Sequence, residues 1–213
     1  MASFSPEPND ARPFLPDKPN LKALREAAAS CRGCHLWRNA TQTVFGEGMK
    51  KARVMMVGEQ PGDREDRDGR PFVGPAGREL DRALEKVGID RAEVYVTNAV
   101  KHFKFEERGR RRMHATPKRF EIDACRPWLD EELAQVKPEV LLLLGATAGK
   151  ALLGSKFKLG ENRGRRIESD LAPVVTATIH PSAILRQRDD ESRYAERDAF
   201  TRDLAAVAAM MNA

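Results

Sequence analysis

Cysteine is scarce in this 213-residue chain: Cys31, Cys34 and Cys125 are all it has, too few for a disulfide framework. Long apolar runs are missing as well. No stretch approaches the ~18 apolar residues needed to span a bilayer, and the N-terminus lacks the charged start and apolar core of a secretory signal. A cytosolic protein without a membrane segment is therefore expected. There is no internal repeat. The length and a hydrophobic content of 41% suit one well-packed core rather than two average domains.

Against these absences stands an excess of positive charge, formally +5 with a pI near 9.2, compatible with a polyanionic partner. Its distribution says more than its sum. Lys101, Lys104, Arg108, Arg110, Arg111, Arg112, Lys118 and Arg119 crowd one stretch that holds only Glu106 and Glu107 as counter-charge. Such a run is either a solvated loop or an edge that contacts phosphates.

Residues 1–20 contain five prolines and no apolar periodicity, which reads as a flexible tail preceding a single domain over 21–213. Four β-rich apolar segments follow, at 53–58, 94–100, 139–145 and 174–179. Helical patterns at 21–29, 77–87, 117–136 and 191–211 alternate with them; the third has Thr116 as N-cap and Pro117 at the first helical position. The alternation predicts an α/β fold in three layers, α/β/α, around a central four-stranded, mainly parallel sheet. Ligands of such sheets bind beyond the carboxyl ends of the strands. Three polar clusters should therefore meet on one rim: Glu59–Asp63, Thr97 to His102, and His180 to Ser182.

Cys31 and Cys34 form a C-x-x-C pair followed by His35, the attachment pattern of c-type haem, but that would suit an exported protein and leave Cys125 idle. A thioredoxin-like site should sit at a strand-to-helix turn, and this pair precedes the first strand. An iron–sulfur cluster or zinc site wants four ligands, of which the three cysteines supply three. The fourth is then a histidine or something exogenous; His35 and His102 are the candidates, and spacing does not choose between them.

Gly58-Glu59-Gln60-Pro61-Gly62-Asp63 is either an ordinary turn after a strand or, with a carboxylate at each end, a place to hold water or balance a developing positive charge. Phe72 lies in a Gly/Pro-rich loop, where an exposed ring can stack on a base. Asn98 closes a strand and can donate and accept at once, as reading the edge of a uracil-like base requires. His180 closes the last strand, a position where histidine is more often structural than catalytic.

Together these segments resemble the iron–sulfur uracil-DNA glycosylases related to family 4, and within that superfamily the UdgX branch. The resemblance runs from Cys31 to about Arg186 through C-R-G-C at 31–34, G-E-Q-P-G-D at 58–63, P-F-V-G-P-A-G at 71–77, T-N-A-V-K-H at 97–102, R-R-R-M-H at 110–114, A-C-R-P-W-L at 124–129 and H-P-S at 180–182. It implies a [4Fe–4S] cluster on Cys31, Cys34, His102 and Cys125, His102 standing where relatives usually carry cysteine, with His35 a bystander. It also implies an inserted basic loop, usually K-R-R-I-H and here Arg110-Arg111-Arg112-Met113-His114. His114 would attack the sugar C1′ after uracil leaves, giving a covalent, single-turnover adduct. Glu59 would position or deprotonate His114, His180 would stabilise the departing uracil, and Asp63 would complete the catalytic set. Gln60, Gly62, Phe72, Asn98, Ser182, Arg186 and the three arginines would bind substrate. The implied partner is uracil-containing DNA, single-stranded by expectation, met by a monomer in a bacterial cytoplasm without an obligate protein partner.

Overall fold

A computed structural model describes residues 9–211. Its elements in chain order are α1 (Leu21–Ala28), β1 (Val54–Gly58), α2 (Asp63–Asp68), α3 (Pro75–Val87), β2 (Val94–Asn98), β3 (Phe105–Arg108), β4 (Arg111–His114), α4 (Arg119–Val136), β5 (Val140–Leu144), α5 (Ala146–Leu153), α6 (Leu159–Asn162), β6 (Arg166–Ile167), β7 (Val174–Thr178), α7 (Ser182–Leu185) and α8 (Asp190–Met211).

The main sheet has the order β2-β1-β5-β7-β6, parallel throughout except for β6. β1 (VMMVG) and β5 (VLLLL) are buried along their whole length, as strands covered on both faces must be. Alternate residues serve opposite layers. Met55, Val57, Leu141 and Leu143 pack with Leu24 of α1, Trp128 of α4 and Ala151 of α5. Val54, Met56 and Leu142 pack with Leu80 and Leu84 of α3 and Phe200 and Leu204 of α8. The architecture is thus α/β/α.

The sheet holds five strands rather than four, because the two-residue β6 adds to the edge of β7, too short to show an apolar pattern. The second strand stops at Asn98 instead of running to residue 100. Helix α4 begins at Arg119, not at Pro117: Lys118 is its N-cap, and the Glu121 carboxylate reaches back to the Lys118 N–H in a capping box. Residues 9–20 are not a loose tail. Ala11 is wholly buried and its N–H donates to Ala124 O at 2.8 Å, so the segment lies against α4; residues 1–8 fall outside the described part. No helix among the described residues is long and apolar enough to cross a membrane.

Strands β3 and β4 form a separate antiparallel hairpin between β2 and α4, pairing Phe105 with His114 and Arg108 with Arg111. Gly109 turns it with φ +61°, a conformation that favours glycine. The basic stretch expected as a loop is therefore a short β-ribbon hung outside the sheet.

Candidate active site

The order in which strands are added reverses between the parallel neighbours β1 and β5, since β1 is followed outward by β2 on one side and β5 by β7 on the other. The segments leaving these two strands diverge, opening the crevice where open parallel sheets bind ligands. Glu59 leaves β1 on one side, and Thr147 opens α5 after β5 on the other. The Thr147 hydroxyl donates to Glu59 Oε2, bridging the crevice.

A cavity of about 730 Å³ lies there. Its lining includes Glu59, Gln60, Gly62, Asp63, Phe72 and Asn98 from the first half of the chain, and His114, His180, Ser182 and Arg186 from the second. At its floor, Gly58 has no room for a side chain: a Cβ would stand 2.4 Å from Asn98 Oδ1, 2.8 Å from Phe72 Cζ and 3.4 Å from His180 Nε2. Glycine thus lets three functional groups converge. Asn98 is only 2% exposed, and its Oδ1 is buried without a hydrogen-bond partner among the described residues. An orphan acceptor of this kind costs about 1–3 kcal/mol unless a ligand supplies the donor.

The tautomer of His180 follows from its neighbours. The Ser182 N–H donates to Nδ1 at 3.2 Å. Arg186 donates to Ser182 Oγ at 2.9 Å, which leaves the hydroxyl proton for Nδ1, 2.8 Å away. The ring proton is then on Nε2, the atom nearest Gly58. Burial holds the ring neutral, with a pKa pushed down to about 4. Phe72 stacks against this imidazole, centroids 5.9 Å apart and planes 29° off parallel. Contrary to the expectation of an exposed ring, Phe72 is 7% exposed and belongs to the core wall. Its φ of +57° is unusual for an aromatic residue and is enforced by close packing, since a Cβ at Gly77 would sit 1.7 Å from Phe72 O. Gly62 opens α2, where a Cβ would stand 2.7 Å from Glu65 Oε2; Glu65 Oε1 in turn accepts the Gly74 N–H at 2.7 Å, tying the Glu59 loop to the Phe72 loop.

His114 reaches the cavity mouth from the end of the hairpin, half exposed, with Nε2 3.1 Å from Glu59 Oε1. Burial would raise the Glu59 pKa, but His114, Thr147 and His180 together hold the carboxyl below its ordinary value, so it is ionised at neutral pH.

Several residues expected to face substrate are engaged elsewhere. The Gln60 amide donates to Lys104 O at 3.0 Å and Ala115 O at 3.1 Å and accepts the Lys104 N–H at 2.9 Å, so it staples the base of the hairpin. Arg112 donates from Nε to Asp63 at 2.5 Å and from a terminal nitrogen to Asp66 at 2.7 Å, and lies over the rings of Phe103 and Phe105. It anchors the hairpin to α2 rather than facing phosphate. Asp63 is shared by Arg67 and Arg112; burial pulls its pKa up, but the two guanidiniums prevail and keep it low. Arg110 and Arg111 are exposed at the ribbon tip, outside the cavity. Lys101, counted in the basic run, is fully buried and ion-paired with Glu132, which also accepts from Tyr95, Thr97 and the Gly46 N–H.

The three cysteines lie close together: Cys31 is near enough to raise the Cys34 thiol, and Cys31 and Cys34 near enough to raise that of Cys125. Cys31 Sγ accepts the Trp128 indole N–H and Cys125 Sγ the Lys101 N–H, both at 3.2 Å. Burial raises the Cys34 thiol and pushes Cys125 up to about 12. His102 follows directly on the peptide that bonds Cys125. Its Nε2 lies 2.9 Å from Thr43 Oγ1, whose proton goes to Ala28 O, so Nε2 carries the ring hydrogen and Nδ1 keeps its lone pair. Burial depresses this imidazole to about 4. Among the described residues no three His, Cys, Asp or Glu side chains converge on a single-ion site. A cubane differs from a single ion in taking one ligand per iron, and three soft sulfurs, two of them already accepting N–H bonds, with a neutral imidazole suit that chemistry.

Sequence reasoning missed Thr147 and Glu65. The rule about strand ends, applied to β5 as it was to the other strands, leads to Thr147; Glu65 sits in a D-R-E-D-R-D run that reads as surface.

A profile of the Uracil DNA glycosylase superfamily matches residues 45–205. Over 193 residues the chain is 38% identical to a type-4 uracil-DNA glycosylase of Pyrobaculum aerophilum, covering 87% of this chain and 92% of that protein. It is 37% identical over 174 residues to a type-4 uracil-DNA glycosylase of Thermotoga maritima, covering 81% and 87%. A type-5 uracil-DNA glycosylase of Pyrobaculum aerophilum is 30% identical over 187 residues, covering 78% and 77%.

Proposed function

The chain belongs to the uracil DNA glycosylase superfamily, and from that premise we propose that it excises uracil from DNA and is then captured on the sugar C1′ through His114, as in the UdgX branch. The observation that carries the second half is the His114–Glu59 pair, 3.1 Å apart at the mouth of a cavity whose floor holds an unpartnered acceptor.

Uracil enters the cavity after leaving the stack, at a cost of a few kcal/mol that single-stranded DNA largely avoids. Phe72 stacks on the ring. Asn98 Oδ1 accepts the N3–H of the base, and its amide N–H groups are donors for the adjacent carbonyl. His180, neutral and protonated on Nε2, donates to a carbonyl oxygen. As the C1′–N1 bond breaks, its electron pair departs with uracil, and a donor aimed at the growing charge contributes ~3 kcal/mol. Neutral His180 matters here: it donates without demanding a counter-ion.

The sugar left behind is oxocarbenium-like. In the capture step His114 Nε2 bonds to C1′ while its proton passes to the ionised Glu59 carboxylate. That proton ultimately accompanies the uracil anion into solvent, so one N–C bond is exchanged for another and no water is consumed. Once Glu59 has passed that proton on to solvent it is a carboxylate again, and a neutral N-alkylated imidazole is a poor leaving group from C1′, which makes the protein single-turnover. The acting unit is taken as one copy of the chain on single-stranded DNA in a bacterial cytoplasm.

Cys31, Cys34, His102 and Cys125 would hold a [4Fe–4S] cluster whose contribution is structural, tying the segment after α1 to α4 and to the end of β2.

The test is to incubate protein with a labelled uracil-containing oligonucleotide, heat in SDS, and compare with His114→Ala on a denaturing gel. A slow band in the parent protein that is lost in the variant is the expected result. Abasic DNA without the band would leave an ordinary multi-turnover glycosylase and refute capture.

A further inference from the structure

His35 and Phe120 have no part in the chemistry above, yet they form the most exposed aromatic pair among the described residues. Phe120, in the first turn of α4, is 55% exposed, and its ring lies 5.8 Å from that of His35, planes 31° apart. The pair flanks a second cavity of about 440 Å³ on the far side of the hairpin end. His114 and Thr116 line both this cavity and the uracil pocket, so the two are separated by the nucleophile itself.

The polar groups here are matched to a base rather than a phosphate. Glu121 is buried and takes Lys104 at 2.9 Å and His35 at 3.2 Å, so the Lys104 cation is already neutralised and the His35 ring is engaged, and exposed Glu106 on the wall would repel a phosphate. Lys118 remains at the rim for the backbone. The His35–Glu121 contact fixes the imidazole plane, so that His35 and Phe120 present pre-set rings at little entropic cost. Aromatic faces beside a cationic rim are how proteins hold single strands without reading sequence.

We infer that the His35–Phe120 cleft is a subsite for the base of the nucleotide adjoining the extracted uridine in single-stranded DNA, held by stacking on Phe120. Stacking there places the strand so that the C1′ of its neighbour meets His114. This rests on the cavity beyond His114 being the uracil pocket.

The experiment measures the rate of uracil release and of adduct formation at sub-saturating oligonucleotide, using uracil flanked by normal bases or by an abasic spacer on either side. For the parent protein, a spacer on one side alone should slow both rates about tenfold, in keeping with the loss of one base–aromatic stack. Phe120→Ala should lose the same factor on the normal strand, be indifferent to the spacer, and melt at the parent temperature, while Phe120→Trp restores the parent behaviour. If Phe120→Ala matches the parent, or if the spacer slows both proteins equally, the subsite is refuted while uracil excision stands. If the parent protein releases no uracil from any strand, both readings fall.

Discussion

At the scale of single residues, the pocket floor is organised around the vacancy at Gly58. A methyl there would strike Asn98 Oδ1 and the Phe72 ring together, so Gly58→Ala should abolish base reading without unfolding the sheet. Asn98→Ala removes the orphan acceptor itself; uracil release should drop by about two orders of magnitude, the usual cost of one aimed polar group, while the melting temperature holds or rises. A steady-state release assay beside a thermal melt checks both variants. His180 gives a pH test. Its folded pKa near 4 lies below the unfolded 6.5, so its contribution to stability is complete above pH 6.5 and is lost as pH falls toward 4. The loss should approach about 3 kcal/mol at 1.36 kcal/mol per unit. Urea unfolding between pH 7 and 4 should show a slope that His180→Asn reduces, leaving the share of His102, which burial also depresses to about 4; an unchanged slope would mean that the His180 ring titrates normally.

Among elements, the β3–β4 hairpin depends on borrowed contacts. A four-residue-per-strand ribbon is marginal alone, and Gln60 and Arg112 supply its attachment. Gln60→Ala should therefore slow adduct formation much more than uracil release, and raise amide exchange in residues 104–115. The cations at the tip behave differently. Arg108, Arg110 and Arg111 are exposed and free of ion pairs among the described residues. Replacing all three with alanine should lower the salt dependence of single-strand binding by about 2 in log–log slope, at ~0.7 per phosphate contact. An unchanged slope would remove phosphate binding from the ribbon. This division could not be read from the sequence. Arg110, Arg111 and Arg112 are chemically alike along the chain; alternation along β4 turns only Arg112 toward Asp63 and Asp66, and only tertiary structure makes Lys101 a buried partner of Glu132. Phe72 was misjudged for a similar reason: Gly/Pro-rich surroundings signal a loop, and this loop folds inward over Gly77.

Over the whole molecule, the sheet was the most legible part. Continuous apolar runs such as VLLLL report burial on both faces directly, and polar residues at the ends of such runs mark the rim where His180, Asn98 and Glu59 meet. What lacked a local signal was short or long-range: the two-residue β6, and the packing of Ala11 on α4 across more than a hundred residues. The sulfur cluster belongs to this scale too, since it would join α1's exit, β2's end and α4. Purified protein should be brown, and stripping the iron with a chelator should bleach it and lower the melting temperature; colourless, iron-free protein of equal stability would refute the ligand set.

The hairpin's two ends meet at its base, where the Ala115 N–H donates to Lys104 O at 3.0 Å. The path into the ribbon and the path out are thus already joined, and the sheet, the helices and the floor of the pocket are complete without it. On the capture proposed above, the ribbon would act as a cassette: ten residues, 105–114, removable by closing residue 104 onto residue 115 with a short glycine linker. The shortened protein should lose its SDS-stable adduct, and the same ribbon, moved with its Gln60 staple and its Asp63 and Asp66 anchors onto a catalytic relative, should carry suicide chemistry with it.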